Sequence, residues 1–544
     1  MYDKMCLPLR HNIGRLRYRL KQVTMKLKDN TLYALLCIVA GVVLASAYSY
    51  TLDTKLDLNG DNAAYISLAR NMAAGEGYAQ QTPQGMVHVS HFPPGYPAIL
   101  SVFMRMGIDN LLFFKVLNAV FLFAAICLLL WALGKATRQR WVVLAALVLA
   151  CLSPQLLHFA GMAMSEMSYL LCMALSIFCL WQYSATETPF WRSAWFWAAI
   201  VTAMCAYHIR TVGMALMLAI VVFLLFRKEW AAAGASVVSM VVLMLPWALR
   251  NAHYGIQSRY FGTIMTVNPW RPEEGTISSV GEFAEKMLTN LDETVIKGFP
   301  EVLFPFLKLQ PEPSGFWGIA AGLLVLAVIV WGAWNTGRLR WLMLAFLAGN
   351  IGLFALWHGG NGTRYVTPII PFVYVLFYNG LFALVRLPLR RWVGDDSRWG
   401  LLLLLMALPM RAPLTEMHKQ SAMPYNRAYR NYFRMATELD RKLPAGTVVS
   451  SRKPDLFRYY APHLIATNYR FDVNPDTVIA HMVSNKVDYV ILEQLGYSST
   501  PRYLLPAVQA RPGLFPIAWQ LPNPDTYLLR FERGKAEEML KKQD

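Results

Sequence analysis

Long apolar runs separated by short polar segments dominate the first 410 residues of this 544-residue chain. A helix that spans a bilayer needs about 20 mostly apolar residues. Eleven runs of roughly this kind occur, at 31–50, 111–133, 141–157, 167–183, 194–207, 212–226, 231–249, 315–334, 341–357, 365–384 and 399–410, of which the fifth and the last are short. The pattern predicts a polytopic α-helical membrane protein with about eleven transmembrane helices in residues 31–410.

The composition agrees with this prediction. Hydrophobic residues make up 56% of the chain and charged residues 15%, against roughly 45–50% and 25% in soluble globular proteins. Disorder, a coiled coil and a small disulfide-stapled fold are excluded. Six of the seven cysteines lie in apolar runs and Cys6 lies in the basic N-terminus. None forms a CxxC pair, so we interpret them as small packing residues.

The distribution of the net charge of +18 indicates the orientation of the chain in the membrane. Lys and Arg collect on the cytoplasmic side of membrane proteins, and the N-terminal segment 1–30 holds eight of them with two acids. If this segment is cytoplasmic, the cytoplasmic segments together hold 20 basic and 6 acidic residues, a net +14. No nucleic-acid partner is needed to explain the charge. Small residues at 45–47 also fit a signal-peptide cleavage site, but the apolar run is longer than the usual 7–15 residues, which favours a retained anchor.

This orientation places three long segments on the outer face, namely loops 51–110 and 250–314 and the tail 411–544. In the tail, helical patterns at 426–442, 454–460 and 477–485 alternate with strand patterns at 447–451, 464–467, 487–493 and 527–531. Such alternation favours a small sheet with covering helices. We therefore predict a C-terminal periplasmic α/β domain at 411–544.

Asp61 is the first candidate for chemistry, because it lies shortly after the first span, where a lipid-borne substrate would present its head group. Tyr65, Leu68, Ala69 and Met72 recur at helical spacing after it, which predicts an amphipathic helix along the membrane surface. A carboxylate there can accept a proton from a hydroxyl nucleophile. The alternative is that Asp61 only caps this helix, and the residue pattern alone favours the cap.

Glu166 is the second candidate acid. It lies at the outer mouth between the third and fourth spans, with no other charge near it in the sequence. Ionisable residues at membrane depth are costly and tend to mark function. An interfacial Glu that faces water is the alternative.

Three arginines fall on the same outer face: Arg210 after a short helix, Arg250 at the end of the seventh span, and Arg364, which precedes Tyr365 and follows a glycine-rich segment. Guanidinium groups match phosphate oxygens in a bidentate manner. These arginines could therefore hold a phosphate or diphosphate near the membrane. The alternative is that they reach into the head-group region without a ligand, and Arg364 fits that alternative least, because its small neighbours allow close approach.

A divalent metal is possible but has no motif to support it. The histidines predicted on the outer face are His88, His91, His253 and His358, and a site would need two or three of them together with an acid such as Glu76. No HxH or HExxH spacing occurs, so the metal ligands, if any, stay unknown.

Motifs for soluble nucleotides are also missing. The chain has no GxxxxGK[ST] loop, no GxGxxG after a strand and no GxSxG elbow, and its predicted cytoplasmic loops are short. A sugar donor would then have to arrive on the outer side, and a lipid carrier is the natural route.

Several segments in order resemble the GT-C superfamily of membrane glycosyltransferases, in particular the bacterial branch that is similar to protein O-mannosyltransferases and aminoarabinose transferases. The segments are GDNAAYISLARNMAAGEGY, HFPPGYPAIL, AMSEMSYLLCMAL, HIRTVGMAL, PWALRNAHYG and RYVTPIIPF. They cover the membrane part, from residue 32 to about 384. VVSSRKPDLFRYY and VDYVILE look like the soluble tail of some relatives.

The resemblance implies transfer of one sugar from a polyprenyl-phosphate carrier to an acceptor on the periplasmic side of the bacterial inner membrane. By position, it implies that Asp61 activates the acceptor hydroxyl, that Glu166 is a second acidic residue and that Arg364 lies near the donor phosphate. Tyr65, His91, Arg210, Arg250 and Tyr365 are then candidates for substrate binding. Many relatives have Asp-Glu in the first loop, whereas Asn62 follows Asp61 here, which puts a second carboxylate and a metal requirement in question.

We therefore expect an inner-membrane glycosyltransferase whose partners are a polyprenyl-phosphate-linked sugar and an envelope lipid, glycan or protein acceptor. Two other classes stay open. A lipid-carrier flippase should show polar residues deep within its spans, whereas the runs here are nearly free of charge. A non-enzymatic envelope assembly protein would leave Asp61 dispensable.

Overall fold

The computed structural model describes residues 6–258, 260–307, 309–310, 312–357, 362–393 and 396–542, and side chains from residue 29 onwards except at 389–393. Its N-terminal part is almost entirely helical, with one small hairpin. The elements are α1 (Cys6–Thr51), α2 (Asp61–Ala74), β1 (Ala79–Thr82), β2 (Gly85–His88), α3 (Gly95–Arg105), α4 (Leu111–Thr137), α5 (Arg140–Cys151), α6 (Pro154–Ala160), α7 (Glu166–Ser184), α8 (Ala194–Ile209), α9 (Met214–Phe226), α10 (Trp230–His253), α11 (Tyr260–Met265), α12 (Val280–Leu291), α13 (Gly298–Leu303), α14 (Phe316–Trp334), α15 (Arg340–Leu356), α16 (Gly362–Val366) and α17 (Ile370–Val393).

Seven helical segments in the described part of the chain are long and apolar enough to cross a membrane. They are Asp29–Thr51, Leu111–Thr137, Glu166–Ser184, Trp230–His253, Phe316–Trp334, Gly337–Leu356 and Gly362–Pro388. Two bent pairs would raise this number to nine, and Ala194–Ile209 and Thr211–Phe226 are shorter apolar helices. The eleven predicted runs therefore fall on helical segments, while eleven membrane crossings stay a prediction.

The third predicted span is broken between Cys151 and Pro154. α5 and α6 meet at an angle of 63°, because Pro154 cannot donate a backbone hydrogen bond inside a continuous helix. The hydroxyl of Ser153 instead accepts a hydrogen bond from the backbone N–H of Leu156 and caps the second half. A periodicity argument treats 141–157 as one run and does not detect this break.

Small residues let two of the long helices approach closely. A Cβ atom on Gly332 of α14 would lie 1.7 Å from the carbonyl oxygen of Leu376 on α17, and one on Gly380 would lie 2.1 Å from that of Val328. No side chain fits there, so the two backbones are in direct contact, as is common between helices in membranes.

α4 connects the two ends of the helical bundle. Near its start, the Asn118 amide donates hydrogen bonds to the carbonyl oxygens of Met162 and Met164, next to Glu166. In its last turn, Lys135 pairs with Asp29 at 3.2 Å. Asn118 and Lys135 are 17 residues apart on α4, so at a rise of 1.5 Å per residue these two contacts are separated by about 26 Å along the helix axis. The Lys135 end carries predicted cytoplasmic charges and the Glu166 end carries the candidate site.

The tail contains a five-stranded mixed sheet. A 3₁₀ helix (Ser397–Ala407) precedes the tail, and the elements of the tail are α18 (Arg411–Ala422), α19 (Arg427–Lys442), β3 (Val448–Ser450), α20 (Pro454–Tyr460), β4 (Ile465–Thr467), α21 (Pro475–Ser484), β5 (Tyr489–Leu492), α22 (Leu505–Ala510), β6 (Ile517–Leu521), β7 (Thr526–Arg530) and α23 (Arg533–Lys541). The strand order is β4-β3-β5-β7-β6. β3 pairs in parallel with β4 and β5, and β7 pairs antiparallel with β5 and β6. The predicted α/β alternation is confirmed, and β6 was missed.

The tail packs on the loop 51–110. The Tyr425 hydroxyl donates to the carbonyl oxygen of Leu56 at 2.7 Å, and the Gln80 amide donates to the Asp455 carboxylate at 3.1 Å. α2 lies between α3 and α20, and both Tyr65 and Leu68 are buried. The predicted helix after Asp61 is confirmed and packs against α3 and α20, while its position along the membrane surface stays a prediction.

Candidate active site

Asp61 is the first residue of α2, and its carboxylate pairs with Arg364. Gly60 occupies the N-cap position with φ of +101° and provides no side-chain cap, a conformation that glycine adopts readily. The carboxylate of Asp61 accepts a hydrogen bond from Nη2 of Arg364, 303 residues later in the chain. The interpretation of Asp61 as only a helix cap is therefore wrong, because its carboxylate is directed across the fold.

The Asp61–Arg364 pair is accessible to a ligand. Arg364 lies on α16, the short helix that leads into α17. The side chains of Arg364 and Asp61 are 26% and 30% exposed, so both groups keep part of their hydration. An incoming anion could therefore compete with Asp61 for the guanidinium.

Glu166 and Arg210 form a second, more deeply buried ion pair. Nη1 of Arg210 lies 2.8 Å from Oε1 of Glu166, and their side chains are 18% and 0% exposed. The other carboxylate oxygen of Glu166, Oε2, has no hydrogen-bond partner in the described structure. The interpretation of Glu166 as a residue facing water is therefore wrong. Its charge is balanced by Arg210, which extends from the end of α8.

Ser165 and Tyr65 connect this pair to α2. Nη1 of Arg210 also donates to Oγ of Ser165 at 3.0 Å, and that oxygen shares a hydrogen bond of 3.2 Å with the Tyr65 hydroxyl. Burial raises the pKa of Tyr65 well above its ordinary value, so the phenol stays neutral. The pKa of Arg210 is also raised: burial, the largest effect, would lower it, but several neighbouring groups together outweigh burial, and the Glu166 carboxylate contributes most among them.

The two ion pairs act on each other. Arg364 interacts electrostatically with Glu166 as well as with Asp61, and Arg210 interacts with Arg364. The site thus contains two carboxylates and two guanidinium groups, drawn from α2, α7, the α8 terminus and α16. A phosphate would find two guanidinium groups here, and a hydroxyl would find a carboxylate that can accept its proton.

Arg250 has a different position from the other two arginines. Its guanidinium donates to the carbonyl oxygens of Val89 at 2.8 Å and Tyr78 at 2.7 Å, and it lies 4.7 Å from the centre of the Trp247 ring. These contacts fasten the β1–β2 hairpin to α10. Of the predicted cluster of three arginines, the structure brings Arg210 and Arg364 together and engages Arg250 with the hairpin.

The remaining candidates lie around the site's edge. His91 is exposed and contacts the Phe92 ring edge to face at 4.4 Å between centres, and Phe92 in turn lies 4.6 Å from the Tyr65 ring. Tyr365 is partly buried against the core. The glycine-rich segment before Arg364 falls mostly at 358–361, outside the described residues.

The described residues do not fit a metal centre. No three His, Cys, Asp or Glu side chains in this part of the chain come together in a way that could hold a metal ion. His88 stacks on the Tyr254 ring at 3.6 Å and His253 contacts the same ring at 4.8 Å, while His358 lies outside the described residues. The two acids of the site are instead balanced by arginines.

Lys453 of the tail is a residue that sequence reasoning missed. Its Nζ donates to the carbonyl oxygen of Asn59 at 2.8 Å and lies 3.8 Å from where a Cβ of Gly60 would be. It therefore holds the turn that presents Asp61. Nothing in the sequence links position 453 with position 59, because they are 394 residues apart.

Comparison with known proteins finds a family model that matches part of the chain and solved structures that share its fold. The family model of dolichyl-phosphate-mannose-protein mannosyltransferases matches residues 34–260, which include Asp61, Glu166 and Arg210. No curated protein matches the chain by sequence.

Two solved structures of other proteins share the fold over most of their length. ArnT from Cupriavidus metallidurans bound to undecaprenyl phosphate is 14% identical, with a TM-score of 0.56, over 91% of this chain and 97% of that one. The Archaeoglobus fulgidus oligosaccharyltransferase tethered to an acceptor peptide is 12% identical, with a TM-score of 0.56, over 92% of this chain and 74% of that one. The resemblance to GT-C superfamily glycosyltransferases is therefore confirmed.

Proposed function

We propose that this GT-C chain transfers a sugar from a polyprenyl-phosphate carrier to an acceptor hydroxyl in the cell envelope. The observation that carries the proposal is the pairing of Asp61 with Arg364 next to Glu166 and Arg210. It combines, at one end of a GT-C bundle, a proton acceptor for a nucleophile and two guanidinium groups for a phosphate. The undecaprenyl phosphate bound to ArnT supports a lipid phosphate as the carrier here.

In the proposed reaction, the donor phosphate binds Arg364 and draws it from Asp61. Phosphate oxygens are strong acceptors for a guanidinium fork, and both partners of the pair are about a quarter exposed, so exchange is feasible. The released carboxylate of Asp61 then faces the acceptor hydroxyl. Arg210, held by buried Glu166, supplies a second positive charge near the leaving phosphate.

The group transfer is a displacement at the anomeric carbon of the donor sugar. The acceptor oxygen forms a bond to that carbon while its proton moves to Asp61, and the bond from carbon to the phosphate oxygen breaks. The lipid phosphate leaves with the bonding electrons and is stabilised by Arg364. Attack from the opposite side inverts the configuration. Positioned proton transfer of this kind contributes about 10²–10⁴-fold in rate.

The proposed location is the bacterial inner membrane, with the site and the tail on the periplasmic side. Two observations support this sidedness. The segments predicted to be cytoplasmic carry a net +14, and on α4 Lys135 is separated from Asn118, which contacts the site end, by about 26 Å. A lipid-borne donor would reach such a site from the membrane plane.

The test is donor choice by the purified full-length protein. We expect turnover with polyprenyl-phosphate sugars and none with UDP- or GDP-sugars. Turnover with a soluble nucleotide sugar as sole donor would contradict the proposal. Mass spectrometry of envelope glycans in a strain without the protein, compared with its parent, would then identify the sugar and the acceptor.

A further inference from the structure

Three arginines of the tail line one pocket without a negative partner. Arg427, Arg430 and Arg434 recur on one face of α19, and with Asn431 and Asn523 they line a cavity of about 320 Å³. All three are exposed, and within the described part of the chain none forms a salt bridge. No carboxylate lines the cavity.

This arrangement differs from the other basic residues of the same helix. Like charges at these spacings destabilise a helix, and opposite charges stabilise it. Near its end, α19 follows that rule, because Arg441 and Lys442 both pair with Glu438. The three arginines at its start do not, so their charge is left available for an anion.

The pocket is also structurally defined. The Asn431 amide donates hydrogen bonds to the carbonyl oxygens of Pro522 at 3.0 Å and Pro524 at 2.9 Å. These bonds hold the β6–β7 turn, and with it Asn523, against α19. Arg427 and Arg434 are separated by about 10 Å along the helix axis, which allows contact with more than one phosphoryl group.

The position of the pocket indicates where the anion comes from. α19 begins directly after Tyr425, which donates to Leu56 in the loop that leads to Asp61. In α18, Nδ1 of His418 lies 2.7 Å from the carbonyl oxygen of Tyr50, at the end of the first membrane helix. The start of α19 is therefore at the membrane-proximal side of the tail, at the same end of the bundle as Asp61.

We propose that Arg427, Arg430 and Arg434 bind the phosphorylated head group of a membrane-borne acceptor and dock it beside the site. The identification of the ligand as the acceptor rests on the proposed function, whereas phosphate binding by the pocket does not. The chemical class is a lipid-linked phosphate or diphosphate.

The first experiment measures binding of inorganic pyrophosphate to the full-length protein in phosphatidylcholine nanodiscs, by titration calorimetry. The triple variant Arg427→Gln, Arg430→Gln, Arg434→Gln should lose at least about 10-fold in affinity, since one charge-assisted hydrogen bond is worth about that factor. Arg441→Gln is the matched control: it removes an arginine of the same helix outside the pocket, and it should stay within about 2-fold of wild type. Equal affinity of the triple variant and wild type would overturn the proposal. The single variant Arg430→Gln, with an intermediate loss, guards against misfolding of the triple variant.

The second experiment separates a lipid head group from a free anion. Nanodiscs that contain phosphatidylglycerol are analysed by native mass spectrometry, and the triple variant should retain fewer anionic lipids than wild type and than Arg441→Gln. Loss of pyrophosphate binding with unchanged lipid retention would overturn the membrane-borne source. Neither assay needs a sugar donor, so both can be interpreted even if the proposed transferase activity fails.

Where transfer is measurable, the triple variant should raise the KM for the acceptor and leave the KM for the donor unchanged.

Discussion

Replacing Glu166 by Gln should destabilise the protein and abolish its activity through Arg210. The substitution keeps the shape and an acceptor oxygen but removes the charge that, among the described residues, pairs with Arg210, a fully buried carboxylate at 2.8 Å. Removing one partner of a buried ion pair costs about 3–5 kcal/mol, because the other charge stays behind uncompensated. Arg210 is 18% exposed and can recover some hydration, so we expect about 3 kcal/mol, the lower end of that range.

The control is the double variant Glu166→Gln, Arg210→Gln. The double variant leaves no uncompensated charge, which is the source of the cost of the single substitution, so a double-mutant cycle should show strong coupling between the two positions. The assay is unfolding in mixed micelles, followed by the fluorescence of the 17 tryptophans. Stability should recover in the double variant, but transfer activity should not, because the phosphate loses one of its two guanidinium groups. A single variant that unfolds like wild type, or a double variant that regains transfer, would refute this reasoning.

Three further outcomes follow from the site and the topology. Arg364→Lys keeps the charge but loses the bidentate fork, so the KM for the lipid donor in steady-state kinetics should rise by about 10-fold, and an unchanged KM would contradict contact with the phosphate. Lys453→Met removes the hydrogen bond to Asn59, a charge-assisted bond worth about 1.5–3 kcal/mol. The kcat should fall by about 10-fold, while the variant elutes as a folded protein. A wild-type kcat would show that the turn does not need this contact. A topology reporter fused at Thr137 should read cytoplasmic and one at Asp544, which lies outside the described residues, should read periplasmic. Reporters that agree with each other would contradict the proposed sidedness.

Local patterns in the sequence predicted many of the helical and strand elements. The prediction of helix at 454–460 coincides with α20, because its Pro and its polar N-terminal residues mark a helix start and its apolar residues recur at helical spacing. β6 (Ile517–Leu521) was missed because it is an edge strand whose first residues are exposed. Its sequence therefore lacks the alternation of buried and exposed positions that reveals a half-buried strand.

The candidate site was predicted in its residues but not in its pairing. Asp61, Glu166, Arg210 and Arg364 are recognisable because charges are rare next to apolar runs. Which carboxylate contacts which guanidinium depends on contacts across 303 residues for one pair and 44 for the other, and no local pattern encodes them. The capping interpretation of Asp61 failed for this reason, since an Asp at the start of a helix has the same local signature whether it caps or pairs elsewhere.

Arg250 shows that a residue can match the sequence pattern of a phosphate ligand and still have a structural role. Its position at the end of an apolar run suggested a phosphate ligand, by the same reasoning that applied to Arg364. The structure engages it instead with backbone carbonyl oxygens of the hairpin and with aromatic rings. Two arginines that were both predicted to bind phosphate thus differ in availability because the hairpin engages one of them.

The most direct test of the central claim is the transfer rate of Asp61→Asn with a polyprenyl-phosphate sugar. The Asp61–Arg364 pair is partly exposed, so its loss should cost no more than about 1 kcal/mol of stability, and the variant should fold. Asp57→Asn, four residues upstream in the same loop, is the matched control and should retain its activity. The account predicts a loss of about 10²-fold or more for Asp61→Asn, because Asn cannot accept the proton. Transfer by Asp61→Asn at close to the wild-type rate would contradict it.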